Sequence, residues 1–241
     1  MEKKVTKNAI ILANGEFPKG AILREKLRAR RGYPSTGTST SLSDRSGYAV
    51  VEPVETTAPT IVCCDGAVQK LLDFGIEPDF IVGDLDSISD KNKIKFVDIL
   101  IHDPDDNTND LTKAVKFCIS NGAESLEILG ATGHREDHTL GNISLLTNYM
   151  NMLSSVKMLT DYGVFTPISQ TTTFESFPNQ AVSIFSITPE TLITSKNLAY
   201  PLKNRTFHSW WEGTLNRSLD KQFTIEIDSG KVIVFQEFAF F

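Results

Sequence analysis

The 241-residue chain is poor in the residues that mark several functional classes: it holds three cysteines, four histidines and two tryptophans. Cys63 and Cys64 are adjacent within an apolar run and Cys118 stands alone. None has metal-ligand spacing, so all three read as small packing residues. No run approaches the roughly 18 apolar residues of a membrane-spanning helix. The start, Met1-Glu2-Lys3-Lys4, leads into too short an apolar stretch for a secretory signal, and the expectation is a cytoplasmic protein. The formal charge is −6, so the basic excess of a nucleic-acid or anionic-membrane binder is missing. An anionic substrate would then need a metal or a few local cations. Also missing is a Gly-x-x-x-x-Gly-Lys-Ser/Thr motif, which argues against phosphate cradling by a P-loop.

What is present centres on residues 78–87, where the apolar run Phe80-Ile81-Val82 ends in Gly83-Asp84-Leu85-Asp86-Ser87. In an extended segment alternate side chains share a face, so Asp84 and Asp86 are expected on one side, with Leu85 pointing away. Two close carboxylates repel, and a hard divalent cation between them relieves the repulsion. Oxygen ligands without a Cys or His cluster favour Mg²⁺ over Zn²⁺. The plainer alternative is a polar turn after a strand, with Asp capping the next helix.

In chain order, Ala9-Ile10-Ile11-Leu12-Ala13 reads as a buried parallel strand entering the turn Asn14-Gly15. Residues 21–30 have the apolar spacing of an amphipathic helix with a solvated basic face. Residues 31–57 are small, polar and aperiodic, and read as a long loop or insertion. Four more strand and turn pairs follow. Ile61-Val62-Cys63-Cys64 leads to Asp65-Gly66 and a helix over 68–74, and Phe80-Ile81-Val82 leads to Asp84. A strand over 97–101 runs into the acidic stretch 103–110 and a helix over 111–119. Leu126-Glu127-Ile128-Leu129 precedes the turn 130–138 and a helix to about 153. This repetition predicts an open parallel α/β sheet over residues 1–154. Ligands of such sheets bind beyond the carboxyl ends of the strands, so Asn14, Asp65, Asp84, Asp86, Asp110, Arg135 and Asp137 are expected to converge on one crevice.

Beyond residue 155 the chain breaks into short β-rich pieces at 156–159, 163–165, 171–174, 181–185, 223–227 and 232–235. They predict an antiparallel β-sandwich over 155–241, with 228–231 as a hairpin loop. Trp210 and Trp211 are the chain's tryptophans. Each is either a core residue of this region or a flat surface for stacking on an aromatic or cationic ring.

Taken in order, Cys64-Asp65-Gly66-Ala67, the stretch 78–87, the acidic stretch 104–113, the turn 130–138 with Asn142-Ile143, and Tyr200-Pro201-Leu202 resemble the thiamine pyrophosphokinase (thiamine diphosphokinase) family over nearly the whole chain outside 31–57. The resemblance implies an α/β domain followed by a β-sandwich. The activity it implies is Mg²⁺-dependent transfer of pyrophosphate from ATP to thiamine, giving thiamine diphosphate and AMP. By analogy Asp84, Asp86 and Asp110 hold Mg²⁺ and act in catalysis with Asp137, which is a metal ligand, the base for the thiamine hydroxyl, or a helix cap. Asn14, Asp65, Gly66, Lys113, Arg135 and His138 fall on the nucleotide. The family usually works as a homodimer, and Trp210 or Trp211, with Asn216, would meet thiamine across the interface.

The chain departs from the family pattern at Asp106, Asn107 and Asn109, at His134 where a second glycine is usual, and at Leu215 where a serine is. Other classes bear on the same residues. Asp-x-Asp after a strand also serves phosphatases of the haloacid-dehalogenase type, but usually on the first strand. Glycosyltransferases use such a pair as well, and would leave Asp110 and the turn 130–138 unexplained. A non-catalytic thiamine or nucleotide binder is the remaining alternative.

Overall fold

The structure is a computed structural model and describes residues 4–20, 24, 26–27 and 58–239. The insertion at 31–57, most of the helix expected over 21–30, and the terminal Phe240 and Phe241 lie outside the described residues. Arg24, Lys26 and Leu27 are helical, and Leu27 is fully buried.

Six parallel strands form the middle and one edge of a large sheet. They are β1 (Asn8–Leu12), β2 (Thr60–Cys64), β3 (Phe80–Gly83), β4 (Leu100–His102), β5 (Ser125–Leu129) and β6 (Ser155–Leu159), in spatial order β6-β5-β1-β2-β3-β4. Strand alternation divides their apolar side chains between two cores. Ala9, Ile11, Val62, Cys64, Phe80 and Val82 face one way. There they meet Leu111, Ala114, Val115 and Cys118 of helix α3 (Asp110–Ser120) and Leu146 and Tyr149 of helix α4 (Glu136–Tyr149). Ile10, Leu12, Ile61, Cys63 and Ile81 face the other way, against Val68 and Leu71 of helix α1 (Val68–Asp73). Both faces being covered at β1, β2 and β3, these three strands are nearly continuous apolar runs, and each fully buried Ile or Leu contributes about 1.5–3 kcal/mol.

The remaining strands are antiparallel, namely β7 (Gly163–Ile168), β8 (Thr172–Glu175), β9 (Ala181–Ser186), β10 (Ile193–Lys196), β11 (Asn216–Arg217), β12 (Gln222–Ile227) and β13 (Val232–Glu237). Strands β7, β13, β9 and β11 continue the large sheet, because β7 pairs antiparallel with β6 through Met158↔Phe165 and Leu159↔Val164. Ten strands therefore share one sheet. Strands β10, β12 and β8 form the second layer, and Ile184, Val232 and Val234 pack against Phe174, Phe223 and Ile225 between the layers. The architecture is thus a parallel α/β sheet with an antiparallel sandwich at one end, as expected.

Four local expectations are corrected. The strand predicted over 97–101 is a 3₁₀ turn, Val97–Ile99, followed by the short β4. It is preceded by helix α2 (Asp90–Lys95), whose polar sequence hides it and whose Ser89 caps it by accepting from Asn92 N–H at 3.3 Å. Residues 228–231 are not a hairpin loop, because β12 and β13 belong to different layers and the turn carries the chain from one to the other. Helix α4 ends at Tyr149, short of 153. The piece at 156–159, expected in the antiparallel sandwich, is β6, which lies parallel to β5 and extends the parallel sheet. Phe238 packs on the core that holds Ile10 and Leu12, and its N–H reaches Tyr162 O at 2.9 Å.

Candidate active site

From β1 the order of strands runs through β2, β3 and β4 to one side and through β5 and β6 to the other. The connections after β1 and β5 therefore diverge, and a crevice opens between them at the carboxyl ends of the strands. A cleft of about 560 Å³ lies there. Its walls include Asn14 and Gly15 after β1, Asp84 after β3, Asp110 and Lys113 at the start of α3, and Arg135, His138 and Asn142 around the start of α4.

Beside it, the carboxylates of Asp65, Asp84 and Asp86 each bring an oxygen within 4.8 Å of the others. Asp65 follows β2 and is 2% exposed, and its Oδ1 accepts from Gly66 N–H at 2.6 Å while Oδ2 has no hydrogen-bond partner. Its carboxylate lies flat against Gly83, where a Cβ would stand 2.7 Å from its Cγ, so only glycine fits at that strand end.

Asp84 and Asp86 do approach each other, but not by strand alternation. Strand β3 stops at Gly83, and Leu85 takes a left-handed φ of 66°. Asp86 N–H then donates back to Asp84 Oδ1 at 3.0 Å, and Ser87 Oγ donates to Asp86 Oδ1 at 2.8 Å. The pair is made by a turn, in which Leu85 points into the core that holds Ile81.

Asp110 belongs to the same neighbourhood through Lys113. The buried Lys113 ammonium stands 3.3 Å from Asp110 Oδ1 and 4.0 Å from Asp84 Oδ2. Burial works against its charge, but the hydrogen bond to Asp110 and the charges of Asp110 and Asp84 outweigh it and hold its pKa above the ordinary value. Burial raises the pKa of Asp65, with Asp110 adding to it, and burial likewise raises that of Asp110. Asp84 is lowered, chiefly by the Asp86 N–H. Three clustered carboxylates, one with an orphaned buried oxygen, suit a hard divalent cation. The donor set is oxygen only, which fits Mg²⁺.

Two asparagines fasten the walls together. Asn109 Oδ1 accepts from Thr112 N–H at 2.9 Å, capping α3, and its Nδ2 donates to Asn142 Oδ1 at 3.1 Å. Asn142 Nδ2 in turn donates to Ala131 O at 2.9 Å, beyond β5. Asp137 does not line the cleft. It is exposed and bidentate to Arg135, at 3.1 Å from Nε and 2.5 Å from Nη2, and this bond pushes its pKa down to about 2. Gly66 packs against Asn14. The sequence gives no sign of one wall residue, Lys70, which sits on α1 between the buried Val68 and Leu71 like any surface lysine.

Trp210, Trp211 and Asn216 lie elsewhere on the chain. Trp210 is edge-on to Phe185, with centroids 5.9 Å apart, and Trp211 is 74% exposed. Both belong to a 3₁₀ turn, Trp210–Gly213, closed by reciprocal Ser209 and Glu212 bonds. Asn216 is buried, accepting from Tyr200 N–H at 3.0 Å and donating to Tyr200 O at 2.8 Å. It forms the floor of a second hollow, about 530 Å³, with Tyr200, Pro201, Arg205 and Leu215 around it. Among the described residues no helix is long and apolar enough to cross a membrane.

The sequence model of the thiamin pyrophosphokinase catalytic domain matches residues 51–158, and that of the thiamin pyrophosphokinase substrate-binding domain matches residues 163–235. A thiamin pyrophosphokinase 1 of Caenorhabditis elegans is 26% identical over 182 residues, which are 70% of this chain and 72% of that protein. The solved thiamine pyrophosphokinase of Bacillus subtilis superposes with a TM-score of 0.71 at 19% identity, over 97% of this chain and 100% of its own. That of Candida albicans does so with a TM-score of 0.70 at 16% identity, over 96% and 90%. At these identities the two solved structures speak for the fold.

Proposed function

The chain belongs to the thiamin pyrophosphokinase family, and on that premise we propose that it transfers the pyrophosphoryl group of ATP to thiamine in a Mg²⁺-dependent reaction. In this reading the hydroxyethyl oxygen of thiamine bonds to the β-phosphorus, its proton passing to water, as the bond from that phosphorus to the α,β-bridging oxygen breaks. AMP leaves with that oxygen, and thiamine diphosphate remains. Such a transfer asks a protein chiefly to align the reactants and to neutralise phosphate charge.

Asp65, Asp84 and Asp86, with Asp110 beside them, are the residues that would hold the metal. When bound, the metal offsets the charge of the phosphate oxygens. The orphaned Asp65 Oδ2 among these carboxylates, at the strand-switch crevice, is the observation that carries the reading. Lys113 holds Asp110 and Asp84 in place and adds a fixed positive charge. Asn14, backed by Gly66, and His138 would bound the nucleotide, and Asp137 orients the guanidinium of Arg135 at the rim. With its pKa at about 2, Asp137 is a weak base, which favours the orienting role.

Thiamine would meet the second hollow, with Trp210 and Trp211 beside it and Asn216 shaping its floor. Tyr200 and Leu215 are exposed in the lining of that hollow and Trp211 is exposed on the adjoining 3₁₀ turn, which supports its completion by the catalytic cleft of a second copy in a homodimer. Residues 1–154 then serve nucleotide and metal, and residues 155–241 serve thiamine and dimerisation. Three buried, unpaired cysteines suit a reducing compartment, and we place the enzyme in the cytoplasm.

Incubation with ATP, Mg²⁺ and thiamine, with products identified by mass spectrometry, tests the reading. Thiamine diphosphate and AMP are expected in equal amounts, and EDTA should abolish both. Asp84→Asn should lower kcat by roughly a hundredfold or more while circular dichroism stays unchanged. Full turnover in that variant refutes the metal assignment, and unreacted ATP and thiamine with the wild type would turn the reading to a non-catalytic binder.

A further inference from the structure

Among the described residues the cleft has three long cationic side chains in its walls, and they differ in how their charge is answered. Lys113 faces Asp110 and Asp84, and Arg135 is clamped by Asp137. Lys70 has no acidic partner among the described residues. Its Nζ instead donates to three oxygens of the turn after β1, at 3.1 Å from Asn14 O, 3.0 Å from Asn14 Oδ1 and 2.8 Å from Gly15 O. All three are neutral. They hold the ammonium still at the cleft wall without cancelling its charge, and the side chain is half-buried, so water screens it incompletely. Burial accordingly lowers its pKa.

A fixed, partly desolvated positive charge without a counter-charge is unfavourable until an anion arrives. We propose that Lys70 is a phosphate-binding residue of the cleft, its ammonium placed by Asn14 and Gly15 to attract the triphosphate of the nucleotide. The inference rests on the proposed pyrophosphokinase reading and adds to it a residue outside the acidic motifs. It also explains why Asn14 is placed as it is. Its side chain packs on Gly66, next to Asp65, and accepts from Lys70, so one asparagine sets the metal-side turn and the cation together. Lysine acts here as a point charge, whereas the phosphate orientation is left to the metal side of the cleft.

Steady-state kinetics on Lys70→Gln and Lys70→Arg separate this role from a structural one. Gln keeps a donor toward the Asn14 and Gly15 oxygens and removes the charge, and Arg keeps the charge. For Lys70→Gln the KM for ATP and the inhibition constant of inorganic tripolyphosphate are expected to rise roughly ten- to hundredfold, with the KM for thiamine unchanged. Lys70→Arg is expected to restore most of the loss. Equal weakening toward ATP and thiamine would make Lys70 a scaffold residue and overturn the proposal. So would unchanged ATP and tripolyphosphate constants in Lys70→Gln. If Lys70→Gln does not fold, a tenfold loss of tripolyphosphate inhibition in the folded Lys70→Arg likewise overturns the charge-based role. A wild-type protein that makes no thiamine diphosphate would defeat the pyrophosphokinase reading instead, while direct tripolyphosphate binding by calorimetry, weakened in Lys70→Gln, would still decide for Lys70.

Discussion

His134 occupies the left-handed region with a φ of 62°, at a place where the family pattern has glycine. A side chain there costs about 1–2 kcal/mol of backbone strain, somewhat less for histidine, which visits the region more readily than most residues. The departure from glycine is therefore tolerated at a price in stability rather than in shape. His134→Gly is expected to raise Tm by about 1–3 °C in calorimetry, the relief of strain exceeding the extra freedom of the unfolded chain. A lower Tm would mean that the imidazole makes a compensating contact. Asp137 carries a different prediction. A carboxylate with a depressed folded pKa contributes stability above its unfolded value near 4, and loses that contribution as pH falls toward about 2. It is therefore ionised throughout the neutral range and adds no acid limb there. Asp137→Asn should lower kcat/KM by the loss of Arg135 orientation yet keep the wild-type shape of the pH profile between about 5 and 9. Disappearance of an acid limb in the variant would identify Asp137 as the base.

At the scale of elements, the Asn109, Asn142 and Ala131 relay joins the cap of α3 to the side of α4 and to the turn after β5. Asn109→Thr keeps a capping oxygen and loses the amide bridge, whereas Asn142→Ala loses both of its bonds. In a double-mutant cycle read by chemical denaturation, the pair should show a coupling of about 0.5–1.5 kcal/mol, and additive effects would show that the bridge does not form in solution. The sequence foretells elements where burial leaves a mark. Strands β1, β2 and β3 are nearly continuous apolar runs because both of their faces are covered. It misleads where the decisive contact is distant. Helix α2 has one buried side chain, Asn92, and no apolar stripe to announce it. The turn at 228–231 has hairpin chemistry, but the two strands it joins find partners in different layers.

At the scale of the whole molecule, the convergence of Asn14, Asp65, Asp84, Asp110 and Arg135 was legible because parallel topology collects strand ends, whatever their distance along the chain. The means of convergence was not. The approach of Asp84 and Asp86 depends on a left-handed Leu85, which no local propensity favours. Lys70 draws its meaning from Asn14, 56 residues earlier. The tryptophans show the same limit, since one-chain periodicity does not tell an exposed Trp211 from a core one.

The ten-stranded sheet has a mechanical consequence. Strands β6 and β7 are hydrogen-bonded neighbours, so the parallel end and the sandwich end are parts of one continuous sheet, and Phe165, Phe185 and Ile233 of the sandwich end share a core with α4. Among the described residues the hydrogen bonding runs from one end of this sheet to the other without a gap. A displacement of one end against the other would have to strain or break the pairs Met158↔Phe165 and Leu159↔Val164, so the span from the cleft to the hollow around Asn216 is tied to that seam.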